Sequence, residues 1–300
     1  MLTPIPEWYQ WNYRPQKIER PNWFRAWPGG ARVAVCLKLM HEWESLPRPS
    51  GRASGNINDY ASLCSREYGF KSGIWRLMDV LAKHNVKTTV MSSGLAIELW
   101  PESFIELDRQ GHEIASHGWD QCIHPPQFTS REEEREAIGK TIAAIERVIG
   151  KRPIGHMSQG PRATEHTLEL VAEAGLIWDA DYQDCDTPYV MDVKGHKVVS
   201  VGYAKPDFTD TEIIPLGLEG SLVQLKCQFD AVYEEAQLRP MKFFFAMHVH
   251  KTGTPGMARV LDRFLTHVRM NDDVTFLRCG DMANFWLENT LSESRFHVSR

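Results

Sequence analysis

Acidic and imidazole side chains recur directly after short apolar runs. His41-Glu42-Trp43-Glu44 follows the run Val33 to Leu39, and His117-Gly118-Trp119-Asp120 follows Glu113 to Ser116. His248-Val249-His250 follows Phe243 to Met247. Asp179, Asp181, Asp184 and Asp186 follow Ile177-Trp178, and the segment 156–162 adds His156, Gly160 and Arg162. This mixture suits hydrolysis of an amide. A carboxylate can activate water for attack on the carbonyl carbon, a positive or hydrogen-bonding group must meet the developing oxyanion, and an imidazole can protonate the leaving nitrogen. A metal ion would help by lowering the pKa of bound water from about 15.7 to about 7. A catalytic zinc takes three protein ligands and keeps one position open. Singly, each residue has a plainer reading. A strand-end glutamate is most often solvated, lone histidines such as His84, His112 and His267 are most often structural, and the aspartates before Pro188 suit a turn. The convergence is what points to a hydrolase.

Strands and helices must bring these residues together. Val33–Leu39, Thr88–Met91, Glu113–Ser116, Ile177–Trp178, Phe243–Met247 and Val274–Leu277 have strand length and composition. Between them lie helical stripes: Ile74, Leu77, Met78, Leu81; then Phe104, Ile105, Leu107 behind Pro101; then Ile138, Ile142, Ile145, Ile149 behind a Ser130–Glu133 capping box and before Gly150. Leu168, Val171 and Ala174, closed by Gly175, mark another. Met257, Val260, Leu261, Phe264 and Val268 mark the next, and a last helix covers about residues 280–290. Such alternation predicts an α/β fold in which helices cover a parallel sheet and ligands bind at the carboxyl ends of the strands. Residues 45–72 read as a long polar loop on that face, and 202–220 as a second wall of the pocket. The chain divides into an N-terminal arm, 1–30, with Trp8, Trp11, Trp23 and Trp27, packed on one catalytic domain, 31–300.

Composition narrows the class. A net charge of −5 over 300 residues, with no basic stripe, argues against a nucleic-acid partner. The six cysteines are scattered without a C-x-x-C pair, which argues against a zinc ribbon and suits reduced thiols. No apolar run reaches the 18 or so residues of a membrane span, and the first thirty residues do not resemble a signal peptide. The expectations are a cytoplasmic protein with no membrane partner, acting on a small molecule, and an even-numbered homo-oligomer.

Several motifs, in order, resemble one family. They are Trp27-Pro28-Gly29-Gly30-Ala31-Arg32-Val33-Ala34-Val35, Glu67-Tyr68-Gly69 with Gly73-Ile74-Trp75-Arg76, Gly111-His112-Glu113-Ile114-Ala115-Ser116-His117-Gly118-Trp119, Gly150-Lys151-Arg152-Pro153-Ile154-Gly155, Trp178-Asp179-Ala180-Asp181 with Pro188-Tyr189, and Met247-His248 followed by Pro255. From Trp27 to Trp286 the chain resembles the polysaccharide deacetylase superfamily of family 4 carbohydrate esterase-like enzymes, and within it the branch of allantoinases and cyclic amide hydrolases. The resemblance implies a distorted (β/α) barrel of about seven parallel strands. It implies Glu42 as catalytic carboxylate, His248 as general acid and Arg162 as the arginine that orients the carboxylate. Trp119, Asp181 and His250 are expected against the substrate. Glu44 and His117 match metal-binding positions. The family's second histidine, four residues after His117, is replaced by Gln121, which leaves His124 as a candidate third ligand, with His250 and the aspartates at 179–186 as others. Two cofactor readings stay open: a divalent metal, zinc by its ligand types, or none. Three functions follow: a hydrolase of small linear or cyclic non-peptide amides, a metal-dependent deacetylase of N-acetylated sugars, or an inactive member that serves as a binding module.

Overall fold

A computed structural model describes residues 13–15, 18–45, 60–202 and 209–297. Its centre is β1 (Val33–His41), whose nine residues are all buried. A strand covered on both faces needs this nearly unbroken apolar composition. β8 (Met241–His248) runs parallel to β1 along almost its whole length, from Val33↔Met241 to Met40↔His248. The other side of β1 is shared. β9 (Val274–Phe276) pairs with its first residues, and β2 (Thr89–Ser92) with its last. β3 (Glu113–Ser116), β4 (Gly155–His156) and β5 (Trp178–Asp179) continue outward from β2 in parallel. Next to β5 come β7 (His196–Ser200), parallel to it, and β6 (Tyr189–Val193), antiparallel to β7. The path β6-β7-β5-β4-β3-β2-β1-β8, with β9 beside β1, is a mixed sheet curled into a half-barrel.

The expected barrel-type fold is therefore present, with one difference in count. Among the described residues eight strands are mutually parallel and a ninth, β6, is antiparallel. The hairpin β6–β7 went unread because its two-residue turn, Lys194-Gly195, carries only one glycine as a signal. Both turn residues have positive φ, 52° and 90°, as a tight hairpin between right-twisted strands requires.

Helices surround the sheet. They are α1 (Tyr60–Tyr68), α2 (Ile74–Lys83), α3 (Gly94–Leu99), α4 (Pro101–Arg109), α5 (Arg131–Ile149), α6 (Thr167–Glu173), α7 (Asp210–Ile213), α8 (Gly217–Glu235), α9 (Pro255–Val268) and α10 (Cys279–His297). Most of them pack on its outer face, and α10 packs against its inner one. Ser130 accepts from Glu133 N to cap α5, and Gly150 ends it in the left-handed region at φ 75°. Two segments differ from the expected loops. Residues 60–68 form α1, which continues through a π turn at Gly69–Gly73 into α2. Residues 217–235 form the long helix α8. α1 lacks the regular apolar spacing that reveals a helix in sequence, whereas α8 carries it at Leu222, Leu225, Phe229 and Val232, beyond the stretch read as a pocket wall. Residues 46–59 and 203–208 of the expected pocket walls lie outside the described residues, as do Trp8 and Trp11.

Alternation along β1 splits the interior. Val33, Val35, Leu37 and Leu39 join residues of α2, α4, α8 and α9 in an outer core. Ala34, Cys36 and Met40 face inward, with Met91, Ala115, Trp178, Phe244 and Ala246. Trp23, Phe24, Trp27, Phe285 and Trp286 pack edge to face or tilted at the end where the strands begin. Trp27 Nε1 donates to Met241 O at the first residue of β8 (2.7 Å). The opposite end, where β1 and β8 finish, carries the site.

Candidate active site

The register Met40↔His248 makes Glu42 and His248 emerge from neighbouring strands at one rim. Glu42 is 8% exposed, and its Oε1 lies 3.1 Å from His117 Nε2. His117 leaves β3, two strands away, and is fastened below by its Nδ1, 2.7 Å from Met157 O. A backbone carbonyl only accepts, and so does an ionised carboxylate, so both ring nitrogens donate: Nδ1 to Met157 O and Nε2 to Glu42. Burial works against a charge on Glu42. The hydrogen bond with His117, then the charges of His248 and Arg66, outweigh it and hold the carboxyl well below its ordinary range. The group stays ionised, as a base must.

His248 is held by a carboxylate that the sequence did not flag. Asp210 opens α7 and is fully buried. Its Oδ1 lies 2.7 Å from His248 Nδ1, and its Oδ2 accepts from His248 N and Thr252 Oγ1, each at 2.7 Å. The ring is oriented with Nε2 left for a ligand. Burial alone would lower the basicity of His248. The Asp210 hydrogen bond and the negative charges of Glu42 and Asp210 reverse that and raise its pKa. A carboxylate held as a base beside an imidazole shifted toward its protonated form is the pairing that water attack and nitrogen departure require.

Arg66, in the last turn of α1, supplies the local cation. It is bonded to Glu44 through Nη2, its Nη1 is 3.8 Å from Glu42 Oε2, and the same Nη1 donates to His250 Nδ1 at 3.3 Å. Burial, then Arg66 and His248, push His250 down to about 3, so it stands neutral. On the other flank Asp181 Oδ1 accepts from Ser158 N (2.7 Å) and Ser158 Oγ (2.8 Å), and burial pushes its carboxyl up to about 6. Asp179 is raised too, by burial and by Asp181.

Glu42, Glu44, His117, His248 and His250 thus come together, with Asp181 beside His117. Three other expected residues do not join them. Arg162 is exposed, its backbone N donates to Ser158 Oγ (2.7 Å), and the arginine near Glu42 is Arg66 instead. The Trp119 ring packs on the helix side of the sheet, with Lys140 Nζ 3.5 Å from its centre, because a Gly94–Trp119 contact draws it toward α3. His124 turns its Nδ1 to Gln159 O at 2.9 Å. The missed residues, Asp210, Thr252 and Arg66, lie in segments read as loops or left unread. Only their proximity in space marks them.

The resemblance to family 4 carbohydrate esterase-like deacetylases implies a divalent metal, but the residues here do not fit one. A three-ligand zinc needs donors converging from His117 and two partners. Gln121 occupies the second histidine's position, with its Nε2 buried and without a partner, and His124 faces away. The guanidinium of Arg66 already stands against Glu42 and Glu44. Among the described residues no group of three His, Cys, Asp or Glu side chains is arranged for a metal.

Comparisons with known proteins find relatives over most of the chain. A family model described as polysaccharide deacetylase matches residues 64–177. A putative polysaccharide deacetylase of Schizosaccharomyces pombe is 26% identical over 248 residues, covering 73% of this chain and 74% of the relative. The structure of a probable polysaccharide deacetylase from Pseudomonas aeruginosa PAO1 superposes with a TM-score of 0.76 at 26% identity, covering 87% of this chain and 92% of that one. The structure of Puue allantoinase also gives a TM-score of 0.76, at 24% identity and the same coverage of 87% and 92%. No helix among the described residues is long and apolar enough to cross a membrane.

Proposed function

The chain belongs to the polysaccharide deacetylase superfamily and is a hydrolase of non-peptide carbon–nitrogen bonds, and from that premise we propose that its substrate is a small linear or cyclic amide, in the manner of an allantoinase or imidase. Glu42 takes a proton from water as the water oxygen bonds to the carbonyl carbon. His248, oriented by Asp210, gives its proton to the nitrogen as the C–N bond breaks. His117 positions Glu42 from the far side. His250, beside Arg66 and His248, and Asp181, beside His117 on the opposite flank, meet the substrate's polar edges.

The observation that carries the reading is the buried Glu42, bonded to His117, at the end of the strand next to that of His248, whose ring Asp210 orients, in a donor set that suits no three-ligand zinc. The structural likeness to an allantoinase supports the same choice. Deacetylation of N-acetylated sugars is the second reading, favoured by the name of the fission-yeast relative. A panel of allantoin, hydantoins, cyclic imides and acetylated chito-oligosaccharides separates the two. Turnover of a small amide, with kcat reduced by about 10²–10⁴-fold in a folded Glu42→Gln variant, is expected. Turnover of acetylated sugars alone, and only with added divalent metal, would reject the proposal.

A further inference from the structure

Two carboxylates stand side by side at the end of β1, and the protein itself supplies the cation between them. Arg66 Nη2 is bonded to Glu44 Oε1, and Nη1 lies 3.8 Å from Glu42 Oε2. The guanidinium side chain is 20% exposed, so it is held in place yet can be reached by a ligand. A guanidinium has five N–H donors in a rigid plane and keeps its charge at any working pH. One edge is occupied by Glu44. Nη1, on the side of Glu42 and His250, makes one hydrogen bond, of 3.3 Å to His250 Nδ1, and an ion pair at 3.8 Å with Glu42 Oε2, too long for a hydrogen bond, so it retains donor capacity. His250 is neutral, so it adds no second charge. The donor lies beside the base, on the wall that His248 and His250 share; their rings are 5.8 Å apart.

We infer that Arg66 is the electrophile of this site: its guanidinium takes the carbonyl oxygen of the bound amide and holds the oxyanion formed when water adds. This rests on the amide-hydrolase reading above. Glu42 removes one proton from water, the water oxygen bonds to the carbonyl carbon, and the C=O π pair moves onto the oxygen facing Arg66. The pair returns, the C–N bond breaks, and the nitrogen leaves with the proton from His248. One water and one amide become one carboxylic acid and one amine, and no oxidant or reductant is required. Glu44 is then a positioning residue that holds the guanidinium edge-on.

The test uses Arg66→Ala and Arg66→Lys in the full chain, each checked for a wild-type melting transition, with the small amide that the wild type hydrolyses best. Loss of one preorganised oxyanion donor lowers kcat by about 10²–10³-fold. Arg66→Ala is therefore expected to lose that much in kcat with KM changed only a few fold. Millimolar guanidinium chloride is expected to restore at least tenfold of the loss, and sodium chloride at equal concentration none. Arg66→Lys should fall between. A kcat within threefold of wild type, a loss confined to KM, or a folded Arg66→Ala rescued by zinc and not by guanidinium would each overturn the inference. Absence of any wild-type turnover on the panel would sink the hydrolase reading and this inference together. Normal wild-type turnover with Arg66→Ala unaffected would sink this inference alone.

Discussion

Protonation at the site depends on two carboxylate–imidazole contacts with opposite tasks. Glu42 is held below the ordinary carboxylate range against the effect of its own burial, by His117, His248 and Arg66. His248 is held above the ordinary histidine range against its burial, by Asp210 and Glu42. A general base must be ionised and a general acid protonated. Activity should therefore persist below the usual carboxylate pKa and fall as pH rises through the raised value of His248. Asp210→Asn removes one of the charges that raise it. The alkaline limb of kcat/KM should move to lower pH while the acid limb stays, and kcat should drop by up to about 10²-fold. The same contact links stability to pH. What the His248–Asp210 pair contributes is complete below the unfolded histidine pKa and is lost as pH rises through the folded value. The melting difference between wild type and Asp210→Asn should thus be larger at pH 6 than at pH 9. An unmoved alkaline limb in a folded variant would reject His248 as the titrating acid. Glu42 and His248 were legible because each follows an apolar strand run directly. Asp210 was not, since a lone aspartate 38 residues before its histidine has no signature other than the fold that joins them.

At the level of elements, the site depends on how closely α1 and α2 approach the turn after β8. Gly73 and Gly253 make that approach possible. A Cβ at Gly73 would lie 2.2 Å from Val249 O and 3.4 Å from Gly253 Cα, both backbone atoms that cannot rotate away. Gly73 has ordinary helical angles, φ −64° and ψ −47°, so a side chain is excluded by contact and not by conformation. Gly73→Ala should push the helix off the turn. Overpacking of this kind costs about 1–3 kcal/mol, which lowers the melting temperature by roughly 3–10 °C in a chain of this size. Because Arg66 rides on the same continuous helical segment as Gly73, kcat should fall as well. Calorimetry and steady-state rates check both; a melting point within a degree of wild type would show that the helix does not need the contact. Strand positions and most helices could be read from period and caps, as at Ser130 and Gly150. α1 could not, because tertiary packing and not an apolar stripe keeps it helical, while α8 shows its stripe at Leu222, Leu225 and Phe229 only past the segment that reads as a pocket wall.

Across the whole molecule, the two ends of the half-barrel have separate duties. β1 spans its nine residues over about 26 Å at a strand's rise of roughly 3.3 Å per residue. Glu42 lies just beyond one end. Trp27, 2% exposed, closes the other with Phe24, Phe285 and Trp286, tying the residues before β1 to the last helix and to the start of β8. Proline, glycine and tryptophan before β1 marked this region in the sequence as something other than a helix or strand. Its partner, α10, lies some 250 residues further along, and no local pattern could pair them. Trp27→Ala removes a large buried ring and leaves Met241 O without its donor. Truncations of this type cost about 3–5 kcal/mol, so the melting temperature should fall by roughly 10 °C or more. The distance to Glu42 predicts a clean separation: well below the melting transition, kcat and KM should remain within about twofold of wild type. A variant that melts normally would deny the aromatic cluster its stabilising part. One that loses turnover while fully folded would mean that the two ends of the sheet are mechanically coupled, and that the aromatic end helps set the position of Glu42.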